Sequence, residues 1–134
     1  MTSRYDNIQK YLKNIGEYGC FFLSLLSIAE EYTGRKIDLV DAVRWGIDSK
    51  AVGNDFTIYD DCKLLSHLTG KRVSKSASQG CGVLSANQFS VEKWYNGRTG
   101  YNHFRRRCFD VYNGSVTVRE GCLVCYYIYT IGGK

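Results

Sequence analysis

Tyr18-Gly19-Cys20-Phe21-Phe22-Leu23-Ser24-Leu25-Leu26-Ser27-Ile28-Ala29-Glu30-Glu31-Tyr32-Thr33-Gly34 is the stretch that decides the fold. From Cys20 to Tyr32 apolar side chains surround a helical wheel on nearly every side. A helix apolar all round is a buried central helix, not a surface one. Gly34 is placed to end it in the left-handed region, and Gly19 puts Cys20 in its first turn.

Two further helices follow by the same local signals. Asp38 with Asp41 three residues on resembles a capping box, and Leu39, Val43 and Ile47 recur at helical spacing with Trp45 nearby. Gly46 weakens that helix by ~1 kcal/mol relative to alanine. The third helix is expected from about Asp60 to Thr69, with Cys62, Leu65 and Leu68 as its apolar stripe and Gly70 as its stop.

Beyond Gly70 the periodicity changes from helix to strand. Short strands are expected over Lys71–Ser76, Gln88–Tyr95, Tyr101–Phe109, Asp110–Tyr112 and Leu123–Thr130, with loop over Ser76–Ser85. Asn96-Gly97 is the strongest turn signal in the chain. The run from Cys122 to Thr130 has the β-branched and aromatic content of a strand buried on both faces. A helical first half joined without a linker to a strand-rich second half predicts one α+β domain over residues 1–134, with the N-terminal helices packed on a small antiparallel sheet.

Composition narrows the function. The 134 residues carry a net charge of +5 and 14% aromatic residues. Disorder is excluded by that apolar content, and a chain this long buries roughly 65–70% of its unfolded surface without staples. The mild basic balance permits a polyanionic partner without demanding one. Cys20–Ala29 falls far short of the ~20 residues that cross a bilayer. The first six residues lack the apolar core of a signal peptide, so the expected location is the cytosol.

Cysteine and histidine carry the candidate chemistry. Six cysteines stand at 20, 62, 81, 108, 122 and 125, and the two histidines are His67 and His103. A thiol at the N-terminus of a helix meets the positive end of its dipole, which favours the nucleophilic thiolate. A buried cysteine that merely packs is the plainer reading of Cys20. If residues 103–110 form a tight hairpin around Arg106-Arg107, His103 lies opposite Asp110, and a carboxylate there fixes the imidazole tautomer. If the strand runs straight on, the two point to opposite faces.

Tyr18-Gly19-Cys20-Phe21-Phe22-Leu23-Ser24-Leu25-Leu26 resembles the nucleophile helix of papain-like cysteine peptidases, especially the bacterial C39-like branch. Gly100-Tyr101-Asn102-His103-Phe104 is similar to that branch's histidine strand. The segment from Asp110 to Ser115 resembles its Asp-Pro-Tyr-Gly segment, with Val111 in place of the proline. Trp45-Gly46-Ile47-Asp48 and Leu68-Thr69-Gly70-Lys71 extend a likeness to a family of uncharacterised proteins from spirochaete plasmids and bacteriophages.

The resemblance implies a papain-like fold and a thiol protease or amidase, a hydrolase working through a thioester. It implies Cys20 as nucleophile, His103 as general base and acid, and Asp110 as orienter. The papain glutamine, six residues before the cysteine, falls here on Asn14, the expected oxyanion donor beside the Cys20 N–H. Gln9 and Tyr18 are other donors of the right kind. The implied partner is a peptide or amide substrate. The rival class is an inactive interaction module that binds a host protein or a nucleic acid, favoured by Arg105-Arg106-Arg107.

The remaining motifs read as structural. The arginine run is expected to be an exposed hairpin tip. Cys122 and Cys125 have zinc-ligand spacing but are expected as buried core cysteines, since residues three apart on a strand face opposite sides. Cys62 is expected in the core and Cys81 in an exposed loop. His67 is expected to be solvated or capping, Glu30-Glu31 a solvated edge, and Asp60-Asp61 a favourable helix start. No phosphate loop or dinucleotide fingerprint is present, so no cofactor and no metal are expected.

Overall fold

The computed structural model describes residues 19–54, 56–98, 100–106 and 120–132. Its elements run α1 (Cys20–Thr33), α2 (Leu39–Asp48), α3 (Asp61–Thr69), β1 (Val73–Ser78), β2 (Gln88–Asn96), β3 (Tyr101–Arg105) and β4 (Cys122–Ile131). The four strands form one antiparallel sheet in the order β1-β4-β2-β3. The α+β expectation therefore holds.

Each helix ends where its local signals place it. Gly34 and Gly70 take the left-handed conformation, and their N–H groups bond back to the carbonyls of Glu30 and Ser66. Those bonds satisfy two of the carbonyls that a helix end leaves open. Asp38 caps α2 by accepting the Asp41 N–H, and Asp60 caps α3 by accepting that of Lys63. Each such cap contributes about 1 kcal/mol.

The core lies between the three helices and one face of the sheet. Phe22, Leu25, Ile28 and Ala29 of α1 are wholly buried against Leu64 and Leu65 of α3, and Val91, Tyr129 and Ile131 join them from the sheet. Gly46 has a tertiary reason to be glycine. A Cβ there would stand 2.7 Å from Cγ2 of Val52, the residue whose N–H bonds to the Gly46 carbonyl.

Several expectations need correction. The first strand begins and ends two residues later than its β-propensity suggests. Of the strand expected over Tyr101–Phe109, β3 covers Tyr101–Arg105, and residues 107–119 lie outside those described. β4 is interior by pairing, with β1 on one side and β2 on the other, but it is not buried on both faces. Its first residue Cys122 is exposed and Val124 is 39% exposed, whereas Tyr129 and Ile131 are covered by the helices. The helical layer reaches only the C-terminal half of the strand.

Candidate functional site

Cys20 reaches the outer strand of the sheet at the peptide that follows His103. The β2–β3 hairpin turns after Asn96, whose carbonyl accepts the Gly100 N–H and whose side chain accepts the Arg98 N–H. That turn sets Trp94 opposite His103 and Glu92 opposite Arg105. The first turn of α1 then packs along β3. The backbone N–H of Phe104 donates to Sγ of Cys20 at 3.3 Å, across 84 residues of sequence. Covalent geometry then holds the sulfur no more than about 6 Å from the His103 Cα. Both Cys20 and His103 are buried, each 5% exposed.

The two faces of β3 are distinct. The Phe104 ring stacks on Phe21 at 4.2 Å and leans toward Tyr127, on the helix side of the sheet. Residues alternate along a strand, so His103 and Arg105 lie on the opposite face with Glu92 and Trp94. The sulfur sits beside the strand, at the peptide that joins the two faces.

Cys20 is the first residue of α1, and Gly19 provides no side-chain cap. The N–H groups of this turn belong to the four that a helix cannot satisfy internally, and they carry its positive partial charge. The sulfur thus meets both a helix N-terminus and a strand N–H, and both favour negative charge on it. The Ser24 hydroxyl donates to the Cys20 carbonyl at 2.8 Å within the same turn.

Asp110 and Asn14 lie outside the described residues, as do Gln9, Tyr18 and, from Arg107 on, the expected turn at Arg106-Arg107 with its His103–Asp110 pairing. On the side that is described, His103 pairs with Trp94.

The arginines depart from the exposed tip that their sequence suggests. Arg106 is only 8% exposed. It donates to Ser27 and pairs with Glu31 of α1 at 2.6 Å, so Glu31 is not a simple solvated edge. Nε of Arg105 pairs with the buried Glu92 at 2.7 Å. Both described members of the run face a carboxylate within the fold, because the strand carries one of them under α1 and the other against β2.

The other cysteines differ from Cys20. Cys62 is half-buried, and burial with the neighbouring Asp61 charge pushes its thiol up to about 11. Cys81 is exposed beside the Ser90 hydroxyl. Cys122 is exposed and Cys125 half-buried, so neither is the fully buried core residue expected of it. Among the described residues no group of three or more His, Cys, Asp or Glu is placed to hold a metal ion. Exposed His67 stacks on the Trp45 ring at 3.7 Å.

A second polar node lies under α3. One carboxylate oxygen of Asp61 accepts from the Tyr129 hydroxyl at 2.7 Å and from Lys75 at 2.6 Å, and the other accepts the Cys62 N–H. Lys75 also lies over the Tyr127 ring at 3.9 Å. Asp61 therefore does more than favour a helix start, for it ties α3 to β1 and β4.

Sequence reasoning had no access to Phe104 as a donor to sulfur or to Glu92 as a buried carboxylate. Glu92 stands between Val91 and Lys93 like any charged strand residue, and only its cross-strand partner marks it out.

Comparison with known proteins adds no relative: no family model, curated protein or solved structure matches the chain. Among the described residues, no helix is long and apolar enough to cross a membrane.

Proposed function

We propose that the chain is a papain-like cysteine hydrolase of the C39-like kind, acting on a peptide or amide carbonyl, with Cys20 as nucleophile and His103 as base and acid. The Phe104 N–H to Cys20 Sγ hydrogen bond carries this reading, because it brings the thiol to the peptide that follows His103. In the first step the Cys20 thiolate adds to the carbonyl carbon. The helix-terminal N–H of Cys20 donates to the oxyanion, with Asn14 as the second donor implied by the family likeness. The imidazolium of His103 gives its proton to the leaving nitrogen, the C–N bond breaks, and a thioester remains. His103 then takes a proton from water, the hydroxide adds to the thioester, and carboxylate and thiol are released. Asp110, by the same likeness, holds the imidazole tautomer.

The polyanion-binding alternative has less support than the bare sequence suggests, since Arg105 and Arg106 are each matched by a glutamate.

Accessibility and activation predict opposite rankings of the thiols, and that makes the test sharp. Iodoacetamide at neutral pH followed by peptide mapping should modify buried Cys20 before exposed Cys81 and Cys122, and His103→Ala should abolish the preference. Modification of Cys20 more slowly than both exposed thiols would overturn the hydrolase and leave an interaction module on the same scaffold.

A further inference from the structure

We propose that Glu92 is a positioning residue of this site: it cancels the Arg105 charge on the His103 face of the sheet and so lets the imidazole carry its proton beside the sulfur. The inference rests on the Cys20–His103 reading for its purpose, but its electrostatic content stands on its own geometry.

Glu92 is 6% exposed. Its Oε1 accepts from the Trp94 indole N–H at 3.0 Å and from Nε of Arg105 at 2.7 Å. The Arg105 guanidinium carbon lies 5.1 Å from the Trp94 ring centroid. The three side chains lie together on one face, and Trp94 among them is the direct cross-strand partner of His103. A carboxylate this buried is costly unless it is paired and hydrogen-bonded, and here it is both.

The position of the set matters because of what the site must do. A cysteine–histidine pair works as thiolate and imidazolium, so a positive imidazole has to be tolerated. Arg105 stands two residues from His103 on the same strand face, about 7 Å along the chain direction. An uncompensated cation at that separation opposes the imidazolium. Glu92 removes the opposition. Titratable groups with described side chains that face this side include Tyr126 of β4, opposite Glu92, and the Cys20 thiol of α1 lies at the strand edge.

The measurement is the titration of the two imidazoles by NMR in the whole chain, with exposed His67 as internal reference and His67→Gln for assignment. Glu92→Gln should lower the His103 midpoint by about one unit. Arg105→Gln should raise it. The double variant should return it near the wild-type value, with His67 unmoved throughout. Opposite signs are the signature, since loss of packing alone does not reverse direction between the two substitutions. Either single variant decides by its sign should the other fail to fold. An unchanged midpoint, or the same direction for both, overturns the proposal. Iodoacetamide rates across pH, taken on the same proteins, separate the two readings: slow modification of wild-type Cys20 defeats the hydrolase, while the imidazole titrations still judge Glu92.

Discussion

The Phe104 amide donates to the Cys20 sulfur at 3.3 Å, so the first turn of α1 is tied to the outer strand of the sheet by the atom proposed to do the chemistry. The contact is structural as well as chemical. Cys20→Ser keeps an acceptor for the amide, whereas Cys20→Ala leaves that N–H without the sulfur. The alanine variant should be less stable than the serine variant by about 1–2 kcal/mol in urea unfolding. Equal midpoints would show that the sulfur contributes nothing as an acceptor.

Gly46 separates local from tertiary physics. Helix propensity alone makes Gly46→Ala stabilising by ~1 kcal/mol. The 2.7 Å approach to Val52 predicts the reverse, since overpacking costs roughly 1–3 kcal/mol. Thermal unfolding should show a lower midpoint for Gly46→Ala and recovery when Val52→Ala is added. A raised midpoint in the single variant would mean that the two elements separate easily.

Asp61 and Tyr129 set opposite ends of the stability–pH curve. Burial raises the Asp61 carboxyl, but the hydrogen bonds from Lys75 and Tyr129 and the Lys75 charge outweigh it and hold the group below its ordinary 3.8. Its contribution is therefore complete above that value and is lost as pH falls through the depressed folded one, below about pH 4. Asp61→Asn should flatten this acid limb. The Tyr129 hydroxyl is raised above its ordinary 10.0, first by burial and then by the Asp61 charge. Stability present below that pH should decline above it, and Tyr129→Phe should remove the alkaline decline. Denaturant midpoints at pH 3, 7 and 10.5 check both directions.

Arg106 should behave as a core residue. Its guanidinium spans Ser27 and Glu31 and lies 5.6 Å from the Phe89 ring centroid. Arg106→Ala should cost roughly 1–3 kcal/mol through lost packing and lost hydrogen bonds. If the residue instead serves a polyanion, the variant will unfold like the wild type and lose salt-dependent binding to a DNA oligonucleotide.

The helices were legible because their boundaries are local events. Asp38 and Asp60 bond to N–H groups three residues on, and Gly34 and Gly70 supply a conformation that side chains disfavour, so a short window of residues contains the whole cause. The Asn96-Gly97 turn and the buried character of α1 were legible for the same reason. Cys20 and His103 could be named from residue type, helix position and family likeness.

What lay beyond any window was pairing across the chain. Nothing near β4 announces that it inserts between β1 and β2, or that its first residues stay exposed while its last are buried. Nothing near Arg105 and Arg106 shows Glu92 and Glu31 waiting on other elements. Local sequence by itself determined which segments become helix or strand, because capping and periodicity act over a few residues. Only the tertiary structure decided which side chains meet, because burial and charge pairing depend on partners that the chain brings from tens of residues away.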